Sequence, residues 1–233
     1  MADRIEPFVI GVEEAVLGDL RDRLRHARWP ERETVGDWSQ GVPLGYLQDL
    51  CGYWARRYEC RAAEARLNQI PQFTTTIDGL DIYFLHVRSP HPGAVPLIMT
   101  HGSPGSFLEF EQTLGPLADP PAHGGDPADA FHVVVPSLPG YGFSGKPAAT
   151  DCDVHRIARA WAELMTRLGY ERFLAMGSDW GTSISTSLAL QHPGRLLAST
   201  WCRRWRRPTT PPVTSLMTNA RHHHRPGRVQ RLP

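Results

Sequence analysis

Two periodicities divide the chain. Between residues 12 and 28 (VEEAVLGDLRDRLRHAR), Val12, Val16, Leu17, Leu20 and Leu24 recur at steps of three and four. That spacing draws one apolar stripe along a charged helix and predicts a surface helix that docks on the rest of the protein. Its polar face mixes both signs, which favours docking over lying on a membrane. After Trp29-Pro30 and a polar run to Gly41, the segment LGYLQDLCGYWARRY sets Leu44, Leu47, Leu50 or Cys51, and Trp54 on one face, a second helix. Neither helix carries a catalytic pattern. From Phe73 the period falls to two: FTTTI, a turn at Asp78-Gly79, then LDIYFLHV, which predicts a β-hairpin.

Downstream, apolar runs alternate with helical stretches. The predicted strands are 95–100, 132–138 and 173–178, and the predicted helices are 106–117, 154–169 and 182–191. Continuous apolar strands separated by helices mean a parallel sheet covered on both faces. A hairpin leading into it adds an antiparallel edge. The chain shows no repeat at solenoid or propeller spacing.

Composition changes this picture at one place. The 233 residues are 41% hydrophobic and 21% charged with a formal net charge of +1, a profile that suits one soluble globular domain. No stretch reaches the roughly 18 apolar residues of a membrane span, and the first residues (Asp3, Arg4, Glu6) do not read as a signal peptide. Cys51, Cys60, Cys152 and Cys202 have neither CxxC nor zinc spacing, so unpaired thiols in the cytoplasm are expected. The near-zero net charge conceals a split. Residues 201–233 hold eight arginines and no acid, leaving 17 basic against 24 acidic groups in residues 1–200. With five prolines, nine hydrophobic residues and the runs RRWRRP and RHHHRP, this tail is expected to be disordered. The consecutive His222, His223 and His224 lack tetrahedral ligand spacing, so no metal or other cofactor is expected. Nothing points to nucleic acid as a partner, and the oligomeric state is left open.

The strongest chemical signal is Gly177-Ser178-Asp179-Trp180-Gly181, between a predicted strand and a predicted helix. A sharp strand-to-helix turn with its apex residue strained needs small residues two positions to either side. The apex here is Asp179, and Ser178 stands one position off it. An ordinary connection with Asp179 as helix N-cap is the simpler alternative. The second signal, His101-Gly102-Ser103-Pro104-Gly105-Ser106, comes directly after the strand 95–100. A loop in that place donates a backbone N–H to an oxyanion hole, together with the N–H of the residue after the nucleophile. The matching amides are those of Ser103 and Trp180, with His101, Gly102, Pro104, Gly177 and Gly181 as the supporting frame. Within PGYGFSGK (139–146), both GxGxxG and a near P-loop fail on context: Pro147 replaces the metal-binding hydroxyl residue, and no helix begins directly after the glycines.

These residues resemble the epoxide hydrolases of the α/β-hydrolase fold that carry an N-terminal extension, the microsomal and juvenile-hormone type. The resemblance runs from about residue 5 to about residue 197 and includes RLRHARWPE, HGSPGSFLEF, PSLPGYGFS and GSDWG. It implies a helical extension over residues 1–72, a partial α/β-hydrolase domain over 73–200 containing only the N-terminal part of the sheet, and the tail 201–233. It implies that Asp179 is a nucleophile opening a small apolar epoxide, with water as the second substrate and the Ser103 and Trp180 amides as oxyanion hole. The family usually has tryptophan where Ser103 stands, a difference of pocket shape. Haloalkane dehalogenases share an aspartate elbow but lack the extension; a non-catalytic binding module is the other alternative.

The family mechanism also uses lid tyrosines, a second acid and a histidine base after the nucleophile. The 54 residues after Asp179 hold no acid and no tyrosine beyond Leu197, and their histidines there sit in the Arg/Pro tail. The expectation is a chain that matches the family to about residue 200 and is then truncated or read in another frame, with negligible turnover. His101 is then the first candidate for a base within 1–197, and the strand before Asp179 is expected near an unprotected sheet edge.

Overall fold

The Asp78-Gly79 turn folds as its residues predict. Both adopt positive φ (51° and 77°), the two-residue turn whose twist matches that of its strands. In the computed structural model, which describes residues 4–202, the elements in chain order are β1 (Glu6–Pro7), α1 (Glu14–Arg25), α2 (Leu44–Arg56), α3 (Cys60–Leu67), β2 (Gln72–Ile77), β3 (Leu80–Val87), β4 (Val95–Thr100), α4 (Glu111–Ala118), β5 (Phe131–Pro136), α5 (Val154–Arg167), β6 (Phe173–Ser178), α6 (Trp180–Gln191) and β7 (Leu196–Cys202). The single helix predicted over 106–117 is broken into a 3₁₀ turn, Phe107–Phe110, and then α4. The remainder of the Arg/Pro tail lies outside the described residues.

The described residues divide into two compact units, 9–70 and 4–8 with 71–202. In the smaller one, the extended residues before α1 are fastened to α3 by side chains that complete backbone bonds. Asn68 accepts from the Ile10 amide (2.8 Å) and donates to the Ile10 carbonyl (2.9 Å), while Glu64 accepts from the Val12 amide (2.9 Å). Arg61 bridges Glu64 and Glu14 at 2.7 and 3.0 Å. The predicted inner face of α2 is corrected. Ala55 is buried and Leu44, Leu47 and Cys51 are half-buried, whereas Leu50 and Trp54 are exposed. The apolar arc of this helix is broad, and the small Ala55 sets which side packs closely.

The larger unit is one seven-stranded sheet in the order β1-β2-β3-β5-β4-β6-β7. β1, β2, β3 and β5 pair antiparallel; β5, β4, β6 and β7 pair parallel. The central strands are buried on both faces, as a parallel sheet flanked by helices requires. Ile98 and Val134 join Trp161, Phe173, Ile184 and Leu188 in one core cluster with α5 and α6. Their neighbours Leu97, Met99, Val133 and Val135 are also buried and point to the opposite face by the two-residue period. β7 pairs with β6 over Phe173–Ser178, so among the described residues the strand before Asp179 lies one strand in from the terminal strand β7, near the sheet edge and itself paired on both sides. One sequence expectation is corrected here. The residues Trp201 and Cys202, assigned to the tail on composition, belong to this strand; backbone pairing ignores the charge boundary that begins at Arg203.

At the opposite end of the sheet from the C-termini of its parallel strands, His86 on β3 bonds the Tyr170 hydroxyl at 2.9 Å, and His132 stacks on the Tyr170 ring. Burial, with smaller contributions from Arg88 and His132, pulls the His86 imidazole down to about 4. A folded value below the ordinary ~6.5 stabilises the fold above that ordinary value, and the contribution is lost as pH falls from there toward the folded value. The denaturation midpoint of the chain should therefore decline between about pH 6.5 and 4, and His86→Gln should flatten that decline; an unchanged slope in the variant would show that other groups carry it.

Candidate active site

The C-terminal ends of β4 and β6 lie side by side, with Thr100 in register with Gly177. The loops leaving these two strands therefore emerge at the same edge of the sheet. After β6 the chain turns directly into α6, and the turn is made at Asp179 with φ 50° and ψ −116°. Non-glycine residues in such conformations cost on the order of 1–3 kcal/mol and persist only where the surroundings impose them. Here the surroundings are backbone. A Cβ on Gly177 would run into the carbonyl of Gly181, and a Cβ on Gly181 would run into the carbonyl of Thr100. The helix start is thus pressed against the end of β4, which leaves Asp179 one path. The N-cap alternative is set aside for the side chain: Asp179 precedes α6, but its side chain makes no capping bond to it.

The carboxylate instead turns toward the loop after β4. The Ser103 amide donates to Asp179 Oδ1 at 2.9 Å, and the amide of the next residue, Trp180, lies at the start of α6 beside it. The backbone amides that face it, that of Ser103 first and that of Trp180 second, hold the Asp179 carboxyl below the usual aspartate range. Gly102 is required by the same approach, since a Cβ there would meet the Asp179 side chain. The Ser103-Pro104 peptide is cis. The structure thus brings Asp179, Ser103 and Trp180 together on the frame of Gly102, Pro104, Gly177 and Gly181.

His101 has a different place from the one sequence reasoning left open. It is fully buried, its Nδ1 bonded to the Gly102 carbonyl (2.8 Å) and its Nε2 accepting from the Leu138 amide (3.1 Å). Burial lowers its pKa, so the ring is neutral with both nitrogens engaged. It ties the loop after β4 to the end of β5 and is not free to act as a base. Thr100 is fixed from below by the indole of the fully buried Trp161, which donates to its hydroxyl at 3.1 Å.

Two side chains at the site escaped the sequence reading. Glu109 accepts from the Ser178 hydroxyl at 3.2 Å, joining the 3₁₀ turn after the loop to the elbow. Tyr141 donates to Ser103 Oγ at 2.9 Å. Tyr141 sits in the glycine-rich loop whose pattern brought nucleotides to mind; its chain position gave no sign of proximity to Ser103, which only the pairing of β5 with β4 creates. Among the described residues, no group of three or more metal-ligating side chains is assembled.

Residues 5–110 match the family model described as Epoxide hydrolase N terminus, and residues 95–213 match that of the alpha/beta hydrolase fold. The chain belongs to the α/β-hydrolase fold family, on its epoxide hydrolase branch. Among relatives of this epoxide hydrolase branch, a protein of Stigmatella aurantiaca (strain DW4/3-1) named "Putative epoxide hydrolase" is 55% identical over 192 residues, which cover 82% of this chain and 44% of the relative. Epoxide hydrolase 1 of Oryctolagus cuniculus is 35% identical over 198 residues, covering 83% of this chain and 44% of its own length. The crystal structure of juvenile hormone epoxide hydrolase from the silkworm Bombyx mori superimposes with a TM-score of 0.74 at 31% identity, over 85% of this chain and 52% of that one. The chain spans about half the length of the curated relatives it matches. No helix among the described residues is long and apolar enough to cross a membrane.

Two measurements test this geometry. In a carboxyl NMR titration, Asp179 should titrate below the ordinary ~3.9; a midpoint at or above that value would mean the bond from the Ser103 amide is absent. Gly181→Ala should lower stability by at least about 2 kcal/mol in denaturant, because the conflict is with backbone that cannot turn aside; a wild-type midpoint would contradict the close approach.

Proposed function

We propose that Asp179 opens epoxides. In the first step one carboxylate oxygen donates an electron pair to a ring carbon, the carbon–oxygen bond of the ring breaks, and the departing oxygen takes up a proton. The product is a hydroxyalkyl ester of Asp179. In the second step water adds to the ester carbonyl, the resulting oxyanion is held by the Ser103 and Trp180 amides, and collapse releases a vicinal diol and the free carboxylate. The observation that carries this reading is the carboxylate of a positive-φ apex residue bonded to the amide of Ser103. A low carboxyl pKa keeps the nucleophile ionised at neutral pH. The N-terminal match and the named relatives support an epoxide over a haloalkane as the electrophile. We also place the protein in the cytoplasm, where a reducing environment keeps thiols such as Cys51, Cys60 and Cys152 unpaired.

The two steps ask for different partners. Attack needs the carboxylate, its donors and a proton for the departing oxygen, which solvent water can supply slowly, whereas ester hydrolysis needs a general base, worth typically 10²- to 10⁴-fold. His101 is engaged on both nitrogens and does not serve. The 233-residue chain treated with styrene oxide should accordingly gain one adduct, mapped by mass spectrometry to Asp179, with no multiple-turnover diol formation; Asp179→Asn should gain none. Adduct formation that persists in Asp179→Asn would defeat the assignment of the nucleophile, and steady-state diol production would defeat the separation of the two steps.

A further inference from the structure

Ser103 contributes to the site twice. Its amide holds Oδ1 of Asp179, and its side chain meets a second hydroxyl, that of Tyr141, at 2.9 Å. Two hydroxyls joined by one hydrogen bond share two protons, of which the bond uses one. Whichever donates, one O–H is left over. Ser103 is exposed, so that remaining donor is open to a ligand.

Tyr141 is well placed to hold such a donor still. Its ring packs edge-on against His101, with centroids 5.6 Å apart, and its loop is closed by the bonds Tyr141 amide to Leu138 carbonyl (2.9 Å), Ser144 amide to Tyr141 carbonyl (3.0 Å) and Gly140 amide to Gly145 carbonyl (2.9 Å). Gly140 and Gly142 both take positive φ (81° and 53°), which fixes the loop without competing side chains. A preorganised donor loses little entropy on binding.

The position relative to Asp179 decides what it can bind. An attacked carbon lies about 3–3.5 Å from the carboxylate oxygen. In a displacement the ring oxygen leaves from the far side of that carbon, away from the carboxylate and from Ser103. The free hydroxyl is therefore misplaced for the ring oxygen. Ser103 carries both this hydroxyl and the amide that holds Oδ1, so the hydroxyl stands on the carboxylate side of the attacked carbon, where a substituent on the carbon next to the ring can turn.

We propose that the Tyr141–Ser103 hydroxyl pair is a recognition element that selects epoxides bearing a hydrogen-bond-accepting oxygen on the carbon adjacent to the ring. The proposal rests on the reading of Asp179 as the alkylated nucleophile. The test is competition between glycidol and 1,2-epoxybutane, which differ by a hydroxyl in place of a methyl group. Equal concentrations are offered to the 233-residue chain, and the ratio of the two adducts on Asp179 is read by mass spectrometry. Because both adducts form on the same folded molecules, the ratio is insensitive to partial unfolding of a variant. Ser103→Ala should lower the glycidol preference about fivefold, the effect of losing one hydrogen bond, and Tyr141→Phe should lower it partway. If both epoxides mark Asp179 and Ser103→Ala leaves the ratio unchanged, alkylation stands and the recognition proposal is overturned. If neither marks Asp179 in the wild-type chain, the nucleophile reading fails and this proposal fails with it.

Discussion

The active-site geometry depends on one close approach, that of the first turn of α6 to the last residue of β4. No side chain separates Gly181 from the Thr100 carbonyl, and none separates Gly177 from the Gly181 carbonyl. Adjacent strands lie about 4.8 Å apart, so two loops leaving β4 and β6 at one edge are already neighbours. The missing Cβ atoms bring them from neighbours into hydrogen-bonding distance. With the helix pushed against the strand, Asp179 is held at an unfavourable φ, and its carboxylate can only point across to the amide of Ser103. The support below is equally specific: Trp161, at the centre of the core, reaches Thr100 with its one polar atom.

Much of this could be read from the chain because it is local. The turn Asp78-Gly79, the elbow pentapeptide and the loop beginning at His101 each depend on residues within five or six positions, and each folds as its residues dictate. The features hidden from the sequence depend on partners far away along the chain. Leu50 and Trp54 belong to the same apolar arc as Leu47 and Cys51, and only the packing of Ala55 settles which side turns inward. Strand β7 was hidden because the change in composition after residue 202 masks the pairing of Leu196–Cys202 with β6. The β1 pair with β2 is two residues long, too short to leave a periodic trace.

His101 shows the same division in one residue. As a histidine two positions from an oxyanion amide it reads as a candidate base. Its chemistry in the fold is set by Leu138, 37 residues on, whose amide takes up the second ring nitrogen. A neutral imidazole with one nitrogen donating and one accepting joins two loops firmly and offers a substrate nothing. The sequence places the residue beside the candidate site, and the tertiary partner occupies the nitrogen a base would need.

The contact between Ser103 and Asp179 Oδ1 has a consequence for the molecules the site can accept. In an esterase the oxyanion amides wait for an oxygen that the substrate brings. On the proposed reading the protein brings that oxygen itself, and the acyl half of the ester intermediate is seated before any substrate arrives. The incoming molecule needs no carbonyl and gains nothing from having one. It needs only a carbon that can exchange one oxygen for another, which shifts the burden of selection from the electrophile's own polarity to the groups that surround it.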